Sequence, residues 1–187
     1  MSENLRKYTQ AVYMLDAVAA RVPDGAWDNQ SCCEGWSARQ VAGHAAWLIK
    51  NVGSLAAGQG SIAEQAEAEV LGPNPSAGFR EIARTTFAQL DQPGALPRVA
   101  ATPFGEMPID NLIGIVWVDA LTHAWDVADA TGIAHGINEA SAQAAFDQME
   151  PMLDRLRGPG MFADAQSPSG DDAVSRFIAL SGRSSVQ

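Results

Sequence analysis

The stretch that decides the fold is "NLIGIVWVDALTHAWDVADATG", residues 111–132. At about 100° per residue, one face of a helix carries apolar residues together with three titratable ones: Leu112, Ile115, Val116, Asp119, His123 and Asp126. The opposite face is apolar throughout: Ile113, Trp117, Leu121, Ala124 and Ala128. A helix that is apolar on nearly all sides lies in the centre of a protein. The three titratable residues are therefore predicted to face inward, where an unpaired charge is costly.

Asp119 and His123 are four residues apart, which stacks their side chains on adjacent turns of the helix. The pair can be a satisfied buried hydrogen bond, which the spacing alone favours, or it can present a carboxylate and an imidazole to a metal ion. Asp126 can replace Asp119 as a ligand, or it can accept a hydrogen bond from a ligand imidazole and orient that ring. We favour a hydrogen-bonding role for Asp126, to an imidazole or to another helix.

Helical periodicity extends along nearly the whole chain and predicts an all-α bundle. "SARQ" at residues 37–40 is a capping box that begins one helix, and Gly132 is a C-terminal stop for another. A short extra helix is possible within residues 61–70. Residues 101–108 are predicted to be a loop with at most a short extended piece, and no alternating run indicates a sheet. The main predicted helices cover residues 5–22, 37–58, 76–90, 108–131, 139–156 and 172–182, with "RGPG" at 157–160 breaking the fifth.

Composition narrows the classes of function. The chain has 187 residues, so a single domain over residues 1–187 is expected, and its formal net charge of −10 argues against nucleic acid or an anionic membrane as a partner. No apolar run approaches the roughly 20 residues of a membrane-spanning helix, and the start lacks the features of a signal peptide. The adjacent Cys32 and Cys33 are read as reduced thiols, which predicts a cytoplasmic protein.

The remaining chemistry-bearing residues are few, since the chain has three histidines and two cysteines. His44 lies at the edge of the apolar stripe of the second predicted helix, and His135 lies in a loop that we expect at the surface. With Asp119 and His123, His44 would complete a two-histidine, one-carboxylate set that leaves coordination positions open, although spacing cannot show that His44 meets them. Cys32 and Cys33 could be ligands or nucleophiles, but small buried apolar residues are the commoner role of free cysteine.

Three segments carry a family resemblance: "SCCEGWSARQVAGHAAW" at 31–47, "VDALTHAWDVADATG" at 118–132 and "DDAVSRFIALSGR" at 171–183. They resemble the signatures of the DinB-like superfamily, in the actinobacterial branch related to mycothiol-dependent maleylpyruvate isomerase. The resemblance implies an up-down-down-up four-helix bundle, here with extra short helices. It also implies a divalent metal held by His44, Asp119 and His123, with zinc expected and nickel or iron as alternatives.

Two departures from the isomerases stand out. They have a glutamate where this chain has Asp119, whose side chain is one methylene shorter. They also carry a second, C-terminal domain for which 187 residues leave no room. The resemblance therefore implies a metal-binding bundle more firmly than it implies maleylpyruvate isomerisation.

The function expected on this basis is that of a thiol-dependent transferase or isomerase, which uses mycothiol or a similar small thiol on an electrophilic substrate. The alternative is a non-catalytic protein of the same fold that binds a metal or a small ligand. The expected partners are the small substrate and the thiol, with no nucleic acid and no membrane, and the protein is expected to be a monomer or a homodimer.

Overall fold

The structure, a computed structural model, describes residues 1–153 and 162–186. It is mainly helical, so the predicted all-α class is confirmed. The helices are α1 (Glu3–Ala19), α2 (Ala38–Ala56), α3 (Glu67–Val70), α4 (Pro75–Leu90), α5 (Ile109–Thr131), α6 (Glu139–Met149) and α7 (Ala173–Leu180), with short 3-10 turns at Asp24–Ala26 and Glu150–Met152. Two strands, β1 (Val99–Thr102) and β2 (Gly105–Pro108), precede α5.

Helices α1 and α5 run in the same direction, side by side. The amide of Asn4 donates to the carboxylate of Asp110 at 3.1 Å, and the ammonium of Lys7 lies 5.6 Å from the centre of the Trp117 ring. Both contacts advance along the two helices together, which is possible only for parallel neighbours. The first and last helices of the bundle therefore share one direction.

Helices α2 and α4 run the opposite way. The Asn29 amide, just before α2, donates to the carbonyl of Ala130 near the end of α5, so the start of α2 lies beside the end of α5. The hydroxyl of Ser76 at the start of α4 donates to the carbonyl of Ala19, and the Phe87 ring near its end packs on Tyr8. Helices α1, α2, α4 and α5 thus form the predicted up-down-down-up bundle.

The predicted helix ends follow local chemistry. The hydroxyl of Ser37 accepts from the amide of Gln40, and the Gln40 side chain accepts from the amide of Ser37 at 3.0 Å, so the predicted capping box begins α2. Gly132 ends α5 with a φ of 68°, a left-handed conformation that glycine adopts without steric cost. Helix α2 ends at Ala56, slightly before the predicted end at Gly58.

The β1–β2 hairpin corrects the prediction of a loop without a sheet. Its antiparallel register pairs Val99 with Pro108 and Thr102 with Gly105. The Thr102 hydroxyl donates to the Gly105 carbonyl at 2.7 Å and accepts from the Phe104 amide at 3.1 Å, which closes the turn. Each strand has only four residues, too few to produce a recognisable alternation of polar and apolar side chains.

Two further predicted elements differ in length. Of the stretch predicted to add a short helix, only Glu67–Val70 is helical. Helix α6 ends at Met149 and continues as a 3-10 turn that contains Pro151, because proline cannot donate the next helical hydrogen bond. Residues 154–156 of the predicted fifth helix and the break at 157–160 lie outside the described residues.

Helix α5 is the central helix, as its sequence predicts. Both of its faces are buried, through Leu112, His123 and Asp126 on one and through Ile113, Trp117 and Leu121 on the other. Within the described residues, no helix combines the length and apolar character that crossing a bilayer would require.

Candidate metal centre

Three side chains converge between α2 and α5. His44 comes from α2, and Asp119 and His123 come from successive turns of α5; their candidate ligand atoms all lie within 4.8 Å of one another. The two imidazole rings meet edge to face, with centroids 5.4 Å apart and planes at 84°. We call His44, Asp119 and His123 the histidine cluster. The contact of His44 with α5 is the one relation that helical spacing alone could not show.

The histidine cluster is buried on one side and open on the other. His123 is 5% exposed, whereas the side chain of Asp119 is 32% exposed and His44 is partly exposed. The Trp36 ring lies against the His44 ring, with centroids 5.1 Å apart. Water or a small solute therefore reaches the cluster from the side of Asp119 and His44, beside an aromatic wall.

His123 lies between two carboxylates. Its Nε2 is 3.5 Å from Oδ1 of Asp119, and its Nδ1 is 2.8 Å from Oδ2 of Asp126. Burial lowers the pKa of His123, but the two carboxylates more than offset that effect and raise it to about 10. Without a cation in the cluster, His123 is thus an imidazolium at neutral pH.

The other two members titrate in the opposite direction. Burial, reinforced by the charge of His123, lowers the pKa of His44, which is therefore neutral at pH 7. Partial burial opposes ionisation of Asp119, but the neighbouring His123 and His44 outweigh it and lower the pKa of that carboxyl. A neutral imidazole, a carboxylate and an imidazolium that can lose a proton are the groups a divalent cation needs.

Asp126 is fully buried and lies on the Nδ1 side of His123, away from Nε2 and Asp119. Arg183 donates to it from Nε at 3.3 Å and from Nη2 at 3.4 Å. Burial opposes ionisation of Asp126, but Arg183 and His123 hold the pKa of this carboxyl well below its usual range. Its place is that of a carboxylate that fixes the tautomer and orientation of an imidazole ring.

Arg183 is a site residue that the sequence patterns did not single out. It follows α7, donates from Nη1 to the Ser181 carbonyl at 2.9 Å and lies 5.2 Å from the centre of the Phe162 ring. Burial lowers the pKa of its guanidinium, but the charge of Asp126 outweighs burial and raises that pKa above its ordinary value. The available signal was one arginine directly after the apolar stretch "FIALSG".

Cys32 and Cys33 both reach Asp126. The Sγ of Cys32 lies 3.2 Å from Oδ1, and the Sγ of Cys33 lies 3.6 Å from Oδ2. Both cysteines are partly exposed, and Cys33 also packs against the hydrophobic core, as an apolar side chain would. We call Cys32, Cys33 and Asp126 the thiol cluster; it meets the histidine cluster through the hydrogen bond between Asp126 and His123.

Tyr8 adds a buried hydroxyl beside the histidine cluster. Its oxygen has no hydrogen-bond partner within residues 1–153 and 162–186. Burial, and then the charge of Asp119, raises the pKa of Tyr8, so the hydroxyl stays protonated near that carboxylate. A buried donor without a partner is costly, and Asp119 is the charged group that acts on this hydroxyl.

His135 lies outside both clusters. It lies in the loop after α5 and is partly exposed, in line with the expected surface position, and its Nδ1 accepts from the amide of Ile137 at 2.9 Å. It is therefore a structural histidine of the loop after α5.

Fold and site together define the class, a DinB-like helical bundle with an imidazole–carboxylate cluster between its second and fourth long helices. Residues 8–128 match the family described as the mycothiol maleylpyruvate isomerase N-terminal domain. The chain belongs to this family, and the predicted branch is confirmed.

Relatives with a similar length exist in Mycobacterium tuberculosis. Uncharacterized protein MT0763 of strain CDC 1551 / Oshkosh and Uncharacterized protein Rv0738 of strain ATCC 25618 / H37Rv are each 28% identical to this chain over 182 residues. Each alignment covers 96% of this chain and 97% of the relative. No solved structure shows a significant match to the chain.

Proposed function

We propose that this protein binds a divalent metal through His44, Asp119 and His123 and acts as a thiol-dependent transferase or isomerase on a small electrophilic substrate. The observation that carries the proposal is the convergence of these three side chains from facing helices, with their ligand atoms within 4.8 Å of one another. Membership of a mycothiol-related family supports a small thiol of the mycothiol type as the co-substrate.

The donor set suits zinc, with nickel or iron as alternatives. Two imidazoles and one carboxylate are found at catalytic sites for zinc and for non-haem iron, where coordination positions stay open for other molecules. The partial exposure of Asp119 and His44 leaves such positions accessible from solvent. A divalent metal, when bound, supplies Lewis acidity that lowers the pKa of a thiol or water.

The residues around the cluster have separate tasks in this proposal. Asp126 holds His123 through Nδ1, so that Nε2 faces the other two members. Trp36 packs against His44 and gives the accessible side an apolar wall for a substrate. Tyr8 offers its unpartnered hydroxyl proton beside Asp119 to whatever occupies that side.

Metal content tests the ligand set. Protein purified without chelators and analysed for its elements is expected to contain a stoichiometric divalent metal. Replacing His44→Ala and His123→Ala together should remove one equivalent of metal, because the remaining carboxylate of the cluster alone holds an ion weakly. His135→Ala is the matched control, since this histidine is outside the cluster, and it should retain the metal. Equal metal content in all three proteins would refute the ligand assignment.

Turnover tests the activity. Metal-loaded protein is incubated with mycothiol and a panel of electrophilic substrates, and thiol consumption or substrate isomerisation is followed. Activity that is present in the His135→Ala control and absent from the double variant supports the proposal. Substrates and thiol recovered unchanged from protein with full metal content would instead favour a non-catalytic binding protein.

A further inference from the structure

The thiol cluster includes Asp126, which lies at Nδ1 of His123, on the other side of that ring from Nε2 and Asp119. The proposed function does not use the thiol cluster. Its three donor atoms, two sulfurs and a carboxylate oxygen, all lie within 4.8 Å of one another. Asp126 is fully buried, while both cysteines remain partly exposed. A solute can therefore approach from the side of the cysteine loop and meet three converging donors.

The loop at residues 30–37 makes this convergence possible. Side chains of adjacent residues point apart in an extended chain, yet here both sulfurs face one carboxylate. The hydroxyl of Ser31 donates to the Trp36 carbonyl at 2.7 Å and accepts from the Cys33 amide at 3.1 Å. Gly35 has a φ of 77°, which turns the chain back so that the Trp36 amide donates to the Cys33 carbonyl at 3.0 Å.

The donor separations fit a tetrahedral metal site. With Zn–S bonds of about 2.3 Å and Zn–O bonds of about 2.1 Å, sulfur and oxygen ligands of one ion lie about 3.6 Å apart. The Cys32 sulfur lies 3.2 Å from Oδ1 and the Cys33 sulfur 3.6 Å from Oδ2 of the same carboxylate, so each sulfur has one oxygen close to this separation. Small rotations of the two cysteine side chains would bring both sulfurs to one ion.

The formal charge of the thiol cluster and Arg183 is also unchanged when a divalent cation binds. With both thiols protonated, the −1 charge of Asp126 is matched by the +1 charge of Arg183, which is hydrogen-bonded to it. A divalent cation that displaces the two thiol protons adds two positive charges and creates two thiolates. The formal charge of this buried group is the same before and after the exchange, whatever the protonation state of His123. The desolvation cost of a buried net charge is thus avoided.

We propose that Cys32, Cys33 and Asp126 form a second metal site for a thiophilic divalent cation of the zinc or cadmium type, distinct from the histidine cluster. Thiolate ligands favour such cations over magnesium or calcium. Binding forms two metal–sulfur bonds and one metal–oxygen bond and releases the two thiol protons to solvent. Three protein ligands leave one position open to water or to an external thiol.

Cobalt(II) is the probe, because thiolate ligation gives a sulfur-to-cobalt charge-transfer band in the near ultraviolet that nitrogen and oxygen ligands do not give. The protein is titrated with Co²⁺ under anaerobic conditions, with a phosphine reductant in place of a competing thiol. The wild-type protein is expected to show the band. Cys32→Ser/Cys33→Ser should lose it, because these are the two cysteines of the chain.

His44→Ala separates this site from the proposed function. The variant should keep the sulfur band while it loses the ion bound through histidine, and zinc X-ray absorption of the same variant should show sulfur ligands. The circular dichroism spectrum of each variant establishes that it is folded. The absence of a sulfur band from reduced wild-type protein would overturn the proposal. Loss of the band in folded His44→Ala would also overturn it, since the thiols would then depend on the first site.

Discussion

The histidine cluster and the thiol cluster share the Asp126–His123 hydrogen bond, but their side chains are positioned in different ways. The first is held by two long helices, whose main-chain hydrogen bonds fix every member. In the second, Asp126 also lies on α5, but side-chain bonds within a loop position the two cysteines, and Asp126 is bound by Arg183, which lies 57 residues from it in the chain. The contrast indicates that the histidine cluster tolerates local change and that the thiol cluster does not.

The largest loss of stability is expected from Asp126→Asn, because both clusters depend on this carboxylate. The substitution leaves Arg183 largely buried without its counter-charge and weakens the acceptor for His123. Removing one partner of a buried ion pair typically costs about 3–5 kcal/mol of unfolding free energy. Urea denaturation of the metal-free protein at neutral pH measures the loss.

Asp119→Asn is the matched control for that experiment. It makes the same chemical change on the same helix, but the Asp119 side chain is 32% exposed and its contact with His123 is 3.5 Å long. A pair with a partly solvated carboxylate and a long contact contributes less than a fully buried one, so this variant should lose clearly less stability than Asp126→Asn does. Equal losses from the two variants would contradict the distinction between a shared buried carboxylate and an accessible one.

Arg183→Gln should have a smaller effect than Asp126→Asn. Asp126 keeps the charged His123 as a partner, so the cost is that of lost charged hydrogen bonds, about 1–3 kcal/mol. Arg176→Gln in α7 is the control, since Arg176 is exposed and its guanidinium donates to Gln143 and lies 5.8 Å from the centre of the Phe146 ring. Its expected change is within about 0.5 kcal/mol. The prediction fails if Arg176→Gln is as destabilising as Arg183→Gln.

The two histidines of the first cluster should titrate on opposite sides of pH 6.5 in metal-free protein. Imidazole resonances in NMR spectra are expected to give His123 a pKa near 10 and His44 a pKa below 6.5. Because the folded protein binds the His123 proton more tightly than the unfolded chain does, stability falls as pH rises from 6.5 towards 10. The slope from this group is at most about 1.4 kcal/mol per pH unit.

Cys32→Ser/Cys33→Ser protein is the appropriate background for the stability measurement, since the thiols no longer titrate. His44 has the opposite effect on the pH dependence of stability. Because its pKa is lowered in the folded protein, stability falls as pH decreases below 6.5. Two rings that titrate together near pH 6.5 would show that the carboxylates do not bracket His123 as described.

Gly35→Ala should give the smallest loss of stability and should separate the two clusters. A methyl group at this position meets no atom within 4 Å, so the cost comes only from the positive φ, roughly 1 kcal/mol. The sulfur-to-cobalt band should weaken, while cobalt binding through the histidines persists. Gly25→Ala, which also meets no atom within 4 Å and lacks a positive φ, should change neither. Weakened histidine binding in Gly35→Ala would contradict the independence of the helices from the loop.

The predictable part of the site is the part that helical geometry controls. The spacing of Asp119, His123 and Asp126 predicted a common inward face, and the family resemblance predicted the approach of His44, which spacing could not show. Cys32 and Cys33 could not be paired with Asp126 because the turn at Gly35 depends on hydrogen bonds between loop groups. Arg183 was missed because a single arginine after a short helix has no periodicity.

The fold likewise has a part that local sequence patterns predict and a part that they do not. The four long helices, the Ser37 capping box and the stop at Gly132 follow from local patterns that span several turns. The β1–β2 hairpin does not, because four-residue strands give no pattern and depend on the Thr102 turn. Short elements and the ends of helices therefore account for the differences between the predicted and observed folds.

The distance in sequence between Asp126 and Arg183 also has a consequence for the order of folding. Synthesis proceeds from the amino end, and early parts of a chain start to fold first. The residues of α1, α2, α4 and α5 are complete well before residue 183 is added. A nascent bundle must hold the Asp126 carboxylate without its guanidinium, so docking of the segment that carries Arg183 is expected as a late step in folding.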